Sequence, residues 1–219
     1  IVAITAVTLL NIVGVQRAKW LQNFGAVATW SIAAIIIASA GWAWHLFGGA
    51  TTITWANVVP DFGSVKTLSL IAVIAFAVDG FELAPVLAGE IKDPERTMRR
   101  AIVLSGIAIA AMYMFGTLGL LIALPSGKID IIAGIPQALS AVGDRVGLPM
   151  FGAILAALLT LSQLGGLSAW VMGTARLPFV IGVDRYFPSA LSRVHPKYQT
   201  PHIALLTQAT VVTLILWAA

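Results

Sequence analysis

Two carboxylates, Asp79 and Glu82, stand inside an otherwise apolar run at 68–90, with Gly80 between them and Pro85 just behind. A charged side chain near the centre of a bilayer costs about 2.5–3.5 kcal/mol on insertion scales, so such residues face a cavity, a partner or a transport path. Gly80 weakens a helix, and Pro85 lacks an N–H, which frees the carbonyl of Phe81 four residues earlier. A helix broken there exposes amides and carbonyls at membrane depth, which is tolerated only where the break lines a cavity or is buried in protein. Discontinuous helices of this kind build the substrate sites of many secondary transporters. The competing reading is a Pro-kinked helix whose acids pair with polar neighbours elsewhere in a bundle.

Other chemistry is sparse. Cysteine is absent, so there is no disulfide, no Cys-based metal site and no thiol nucleophile. His45, His195 and His202 form no pair at metal-ligand spacing in the sequence. No zinc motif and no serine nucleophile elbow supports a membrane-embedded enzyme. An intramembrane aspartyl dyad needs acids from two helices, whereas Asp79 and Glu82 share one. A channel would want rings of charge or carbonyls from an oligomer. Channel and membrane enzyme stay as alternatives to a carrier. Gln163, Leu167 and Trp170 fall at i, i+4 and i+7, one helical face, and Gln163 is the only amide in its run. A buried amide wants partners, either a ligand or a neighbouring helix. Gly165 and Gly166 suit close helix packing, and Gly106 and Gly116 invite the same reading.

The elements that position these residues follow from composition. Of 219 residues 59% are hydrophobic and 10% charged, against about 25% charged in an average soluble domain. Mean hydropathy is +0.94. Disorder, a disulfide-stapled module and an ordinary cytosolic enzyme are excluded. Crossing the hydrocarbon takes roughly 20 apolar residues in a helix. Runs at 24–47, 68–89, 101–124 and 149–173 reach that length, and shorter ones lie at 1–13 and 202–219. Barrel strands would be nearer 10 residues with alternating polarity, a pattern absent here. The expectation is an all-α, multi-pass integral membrane protein of the plasma or inner membrane, with six transmembrane segments in a single domain and the third segment broken.

The connections alternate in charge. The first, third and fifth carry ten of the 13 Lys and Arg residues: Arg17 and Lys19; Lys92, Arg96, Arg99 and Arg100; Arg176, Arg185, Arg193 and Lys197. By the positive-inside rule these three are cytoplasmic. The net charge of +4 therefore reads as topology, not as a nucleic-acid surface, which would need one basic face with base-stacking aromatics. Trp42, Trp44 and Trp55 suit an interfacial belt at the outer end of the second run. In the outer connection 125–148, the stretch 135–142 is either a small surface helix or a packed loop. The charged group Lys92 to Arg100 is either a solvated loop or an inner gate of ion pairs. The chain opens and closes inside apolar runs and has no signal-peptide pattern, as expected of a piece of a longer protein.

Several motifs together resemble the amino acid–polyamine–organocation permease superfamily. Gly80-Phe81-Glu82 is similar to the family's sixth-helix break, Gly then Phe, Val or Trp then an acid. Ala88-Gly89-Glu90-Ile91-Lys92-Asp93-Pro94-Glu95-Arg96 and Arg100-Ala101-Ile102 resemble the cytoplasmic loop that follows, with Arg99 in place of the usual Pro. Leu164-Gly165-Gly166, Gly173-Thr174-Ala175-Arg176, Asp184-Arg185-Tyr186-Phe187-Pro188 and Thr200-Pro201 look like the eighth helix and the loop into the ninth. Asn11-Ile12-Val13-Gly14-Val15 with Gln22-Asn23 resembles the fourth-to-fifth connection.

The resemblance implies a leucine-transporter-type inverted repeat, of which this chain is about helices four to nine. It implies a permease or antiporter for amino acids or related amines, working by alternating access without a cofactor. The substrate-contacting positions it implies are Phe76, Ala77, Asp79, Gly80, Phe81, Glu82, Gln163 and Leu167. Phe76 matches an aromatic gate, with lipid-facing packing as the alternative. Glu82 is a candidate for coupling protonation to helix movement. Thr29 falls where several members carry a lysine that stands in for a sodium ion, so coupling by sodium, by protons or by plain exchange stays open. Asp79 departs from the neutral residue of many relatives; it could recognise a cationic group, carry a proton or cap a half-helix. The implied partners are the substrate and the lipid bilayer, and a homo-oligomer is compatible.

Overall fold

The computed structural model describes residues 1–48, 51, 54, 59–60, 62–77, 79–80, 83–86, 88–124, 135–137, 140 and 150–218. All regular elements among them are helical. They are α1 (Val2–Val13), α2 (Val15–Phe47), α3 (Val65–Ala77), α4 (Leu83–Val86), α5 (Pro94–Ala123), α6 (Met150–Thr174), α7 (Arg176–Val183) and α8 (His202–Ala218), with 3-10 turns at Ala88–Glu90 and Ser189–Ser192.

Local sequence explains most of the boundaries. α2 begins at Val15 rather than at 24, so Arg17, Lys19 and Gln22 are helical and not part of a connection. Between Gly14 and Gly25 no Gly or Pro interrupts the chain, and Arg, Lys and Gln are good helix formers. Charge ends an apolar run; it does not end a helix. α5 likewise starts at Pro94, ahead of its apolar run, because Pro suits the first helical position and Glu95 complements the helix dipole. Asp93 turns into this helix at φ +48, and Thr97 Oγ1 donates to Lys92 O at 3.0 Å. The run at 68–89 is not one helix: α3 stops at Ala77 and α4 resumes at Leu83. In the 125–148 connection, residues 135–137 and 140 are helical, and the rest lie outside the described residues.

The chain forms two compact units. The first comprises Ile1–Trp30, Glu82–Met98 and Leu158–Ala219. Its apolar centre is Val7, Val171, Ala175 and Leu205, with Ile12, Leu21, Leu164 and Leu167 packed against it. Thr200 Oγ1 donates to Ile12 O at 2.7 Å, satisfying a carbonyl at the end of α1 that the helix itself leaves open. The second unit comprises Ser31–Phe81 and Arg99–Ala157. There Gly119, not the expected Gly116, makes the close contact: a Cβ on Gly119 would lie 3.0 Å from Ile36 Cγ2, while Gly116 has open space.

Among the described residues three helical stretches are long and apolar enough to cross a membrane, Val15–Trp42, Pro94–Ile122 and Gly152–Val183; Val2–Val13 and His202–Ala218 are shorter apolar helices. Along α5, Val103, Leu104, Ile107, Met114 and Phe115 are all exposed. An apolar face of that length is untenable in water and ordinary in lipid.

Candidate functional site

The interruption between α3 and α4 is built from local backbone chemistry. Gly80 sits at φ +116, a region that side-chain-bearing residues rarely enter. Asp79 is exposed, and its Oδ1 accepts the N–H of Gly80 at 3.2 Å. That bond ties the carboxylate to the turn itself, as a helix-flanking Asp does. Phe76 and Ala77 form the last positions of α3. Phe81 and Glu82, both expected site residues, lie outside the described residues. On the far side α4 carries Pro85 within its only turn, where a missing N–H costs no helical hydrogen bond.

The other expected positions lie on α2 and α6, in the first unit. Thr29 Oγ1 and Ser162 Oγ are 2.6 Å apart, and Thr29 also donates to Gly25 O at 3.0 Å. One turn along, a Cβ placed on Gly25 would fall 2.6 Å from Gly165 Cα, and the reverse holds for Gly165. Only glycine at both positions allows this crossing. One turn further, Gln22 Nε2 donates to Ser168 Oγ at 3.4 Å. Positions fall on α2 as they rise on α6, so the two helices run antiparallel along this seam. Asn11 on α1 joins it, donating to Val7 O at 2.9 Å and to Ser168 Oγ at 3.2 Å. Ser168 is fully buried. Between lipid-immersed helices no hydrophobic gradient drives association, so small residues and interhelical hydrogen bonds do the holding.

Gln163 lies beside Ser162 but is exposed, turned away from the seam. Leu167 and Trp170 line a cavity of about 270 Å³ together with Thr8, Thr174 and Gln208. Gln208 Nε2 donates to Thr174 Oγ1 at 2.6 Å. Thr8 Oγ1 and Gln208 Oε1 are buried without a hydrogen-bond partner. Thus Gln163 and Leu167, expected to share a face, meet different surroundings, and Thr29 pairs with a hydroxyl.

Sequence reasoning missed the Asn11–Ser168–Gln22 cluster. The available signal was the recurrence of small residues Ser162, Gly165 and Ser168 along one side of α6, of which only Gly165 was read as a packing site. The loop before α8 brings the rings of His195 and His202 to 5.3 Å, edge to face, with His195 Nδ1 accepting the N–H groups of Lys197 and Tyr198. Among the described residues no group of three His, Cys, Asp or Glu side chains could hold a metal. Lys92, Asp93, Glu95, Arg96, Arg99 and Arg100 are all exposed.

Long apolar helices, one interrupted helix and a seam of small and hydroxyl residues define a multi-pass integral membrane protein. The family model described as amino acid permease matches residues 1–219, and the chain belongs to that family. It is 28% identical to an uncharacterized transporter of Legionella pneumophila, over 95% of this chain and 45% of that protein. It is 28% identical to a probable agmatine/putrescine antiporter of Lactococcus lactis, over 79% of this chain and 37% of the relative. A serine/threonine exchanger of Bacillus subtilis is 27% identical, over 95% of this chain and 46% of its own length. The chain thus spans less than half the length of these relatives. The family and the relatives' names are those of transporters, not enzymes.

Proposed function

We propose that the chain is part of a secondary transporter that moves amino acids or related amines by alternating access around the Asp79–Gly80 interruption. The observation that carries this reading is the helix that stops at Ala77 and resumes at Leu83, in a chain of the amino acid permease family. Half-helix ends and freed backbone groups at such a break supply oriented donors and acceptors for an amine and a carboxylate. In this reading Phe76, Ala77, Asp79, Gly80, Phe81 and Glu82 belong to the substrate path, with Gln163 and Leu167 as further contacts. Glu82 links protonation to movement, and Phe76 gates. The Thr29–Ser162 pair sits where a coupling group is expected, and coupling is by protons, by sodium or by exchange. In this reading the start of α2 with Arg17 and Lys19, the segment Lys92–Arg100 and the segment Arg176–Lys197 face the cytoplasm, and the apolar helices contact the bilayer.

Counterflow tests the proposal. Vesicles holding the full-length carrier and loaded with unlabelled amino acid should accumulate labelled amino acid transiently above equilibrium. Simple equilibration, as through a channel, contradicts the carrier. In the same assay Asp79→Asn separates two roles. Selective loss of cationic substrates by about ten- to a hundred-fold marks a direct contact; an equal, smaller loss for all substrates marks a cap.

A further inference from the structure

The loop from α6 to α8 presents a surface that transport chemistry leaves unused. α7 starts two residues after α6 ends, so its first turn stands at the level where a 25-residue apolar helix finishes. Leu177, Val180 and Val183 recur at i, i+3 and i+6 along α7 and are each about half exposed. The chain then turns through Asp184 and Arg185, the latter at φ +64. Beyond the turn Tyr186 is 83% exposed and Phe187 is 52% exposed.

The other side of α7 is occupied. A Cβ on Gly182 would come within 3.1 Å of Leu191 Cβ, so the Ser189–Ser192 turn packs directly on the helix. The strap is fixed at its far end: His195 N donates to Thr200 O at 2.8 Å, and Thr200 Oγ1 holds Ile12 O. The opposite, apolar face is exposed in this chain. Its charge is one-sided. Arg176, Arg185, Arg193 and Lys197 face a single acid, Asp184, in the whole segment 175–201. Arg185, Arg193 and Lys197 are all exposed, Lys197 with its Nζ 5.6 Å from the centre of the Tyr198 ring, and Arg185 directly follows the end of the apolar face.

We propose that α7 and the 184–187 turn lie in the cytoplasmic membrane interface and bind anionic lipid. In this arrangement Leu177, Val180, Val183, Tyr186 and Phe187 enter the headgroup–acyl boundary, and Arg185 and Arg193 engage lipid phosphates. A helix with an apolar face, basic neighbours and aromatic tips at the mouth of a membrane span has the chemistry of an interfacial anchor. Each basic side chain near an anionic leaflet strengthens binding about fivefold. The proposal rests on reading the chain as a carrier whose 175–201 loop is cytoplasmic.

The test uses the full-length carrier with nitroxide labels on Val183→Cys and Tyr186→Cys, and on Lys92→Cys as a control. It is reconstituted in phosphatidylcholine alone or mixed with phosphatidylglycerol, and collisions with oxygen and with a water-soluble nickel complex are read by spin resonance. Labels at 183 and 186 should gain oxygen contact and lose nickel contact when phosphatidylglycerol is present. Arg185→Gln with Arg193→Gln should reverse this, raising the phosphatidylglycerol needed by about 25-fold, while the label at 92 stays in water. Equal nickel contact in both lipids would overturn the proposal. So would shielding from both reagents regardless of lipid, which would mean that protein covers the face, and so would insertion indifferent to phosphatidylglycerol. Counterflow on the same vesicles separates the readings: insertion without counterflow refutes the carrier alone, and counterflow without insertion refutes the anchor alone.

Discussion

The α2–α6 seam and the α3–α4 interruption hold polar groups among apolar helices in opposite ways. In the seam, hydrogen bonds join residues far apart in sequence, as from Asn11 Nδ2 to Ser168 Oγ, with Asn11 Oδ1 left buried without a partner, and the backbones meet where only glycine fits. In the interruption, Asp79 bonds the adjacent Gly80 N–H, the backbone takes a left-handed value, and the carboxylate stays exposed. The first arrangement is over-determined by packing and has one geometry. The second is specified by two or three neighbouring residues. The carrier proposed above needs both: an element that stays fixed and one that changes partners.

Substitutions at the closest approach should have the largest effect. Gly165→Leu is expected to prevent the α2–α6 crossing and abolish folded protein in detergent. Gly165→Ala should cost about 1–3 kcal/mol by overpacking, read as a lower melting temperature. Gly166→Ala, with open space around it, should stay within about 0.5 kcal/mol. Equal behaviour of the two neighbours would refute the seam. At the interruption, Gly80→Ala should cost about 1–3 kcal/mol through backbone strain, and its transport defect should exceed its shift in melting temperature. A defect explained wholly by instability would make the turn structural. Ser168→Ala is the smallest change, removing an acceptor shared by Asn11 and Gln22. A cost of about 0.6–1.7 kcal/mol is expected, whereas Gln163→Ala should leave melting unchanged and alter only substrate affinity.

The helical, membrane-embedded class was legible because composition and run length are sequence properties, and the permease family was legible from its loop motifs. The break was legible because Gly80 and Pro85 act on their own backbone. α2 was misjudged at Arg17–Asn23 because charge was taken as the end of a helix. The Asn11–Ser168 contact was illegible because it joins residues 157 positions apart. Gly119 was missed in favour of Gly116 because both lie on one apolar helix, and only packing shows which one meets Ile36.

The division of labour between the two regions is tested most directly by amide hydrogen exchange on the full-length carrier, with and without saturating amino acid. Peptides covering 75–86 should change their exchange on substrate binding. Peptides covering 20–31 and 160–172 should not. A substrate response in the seam with none at the interruption would contradict the account.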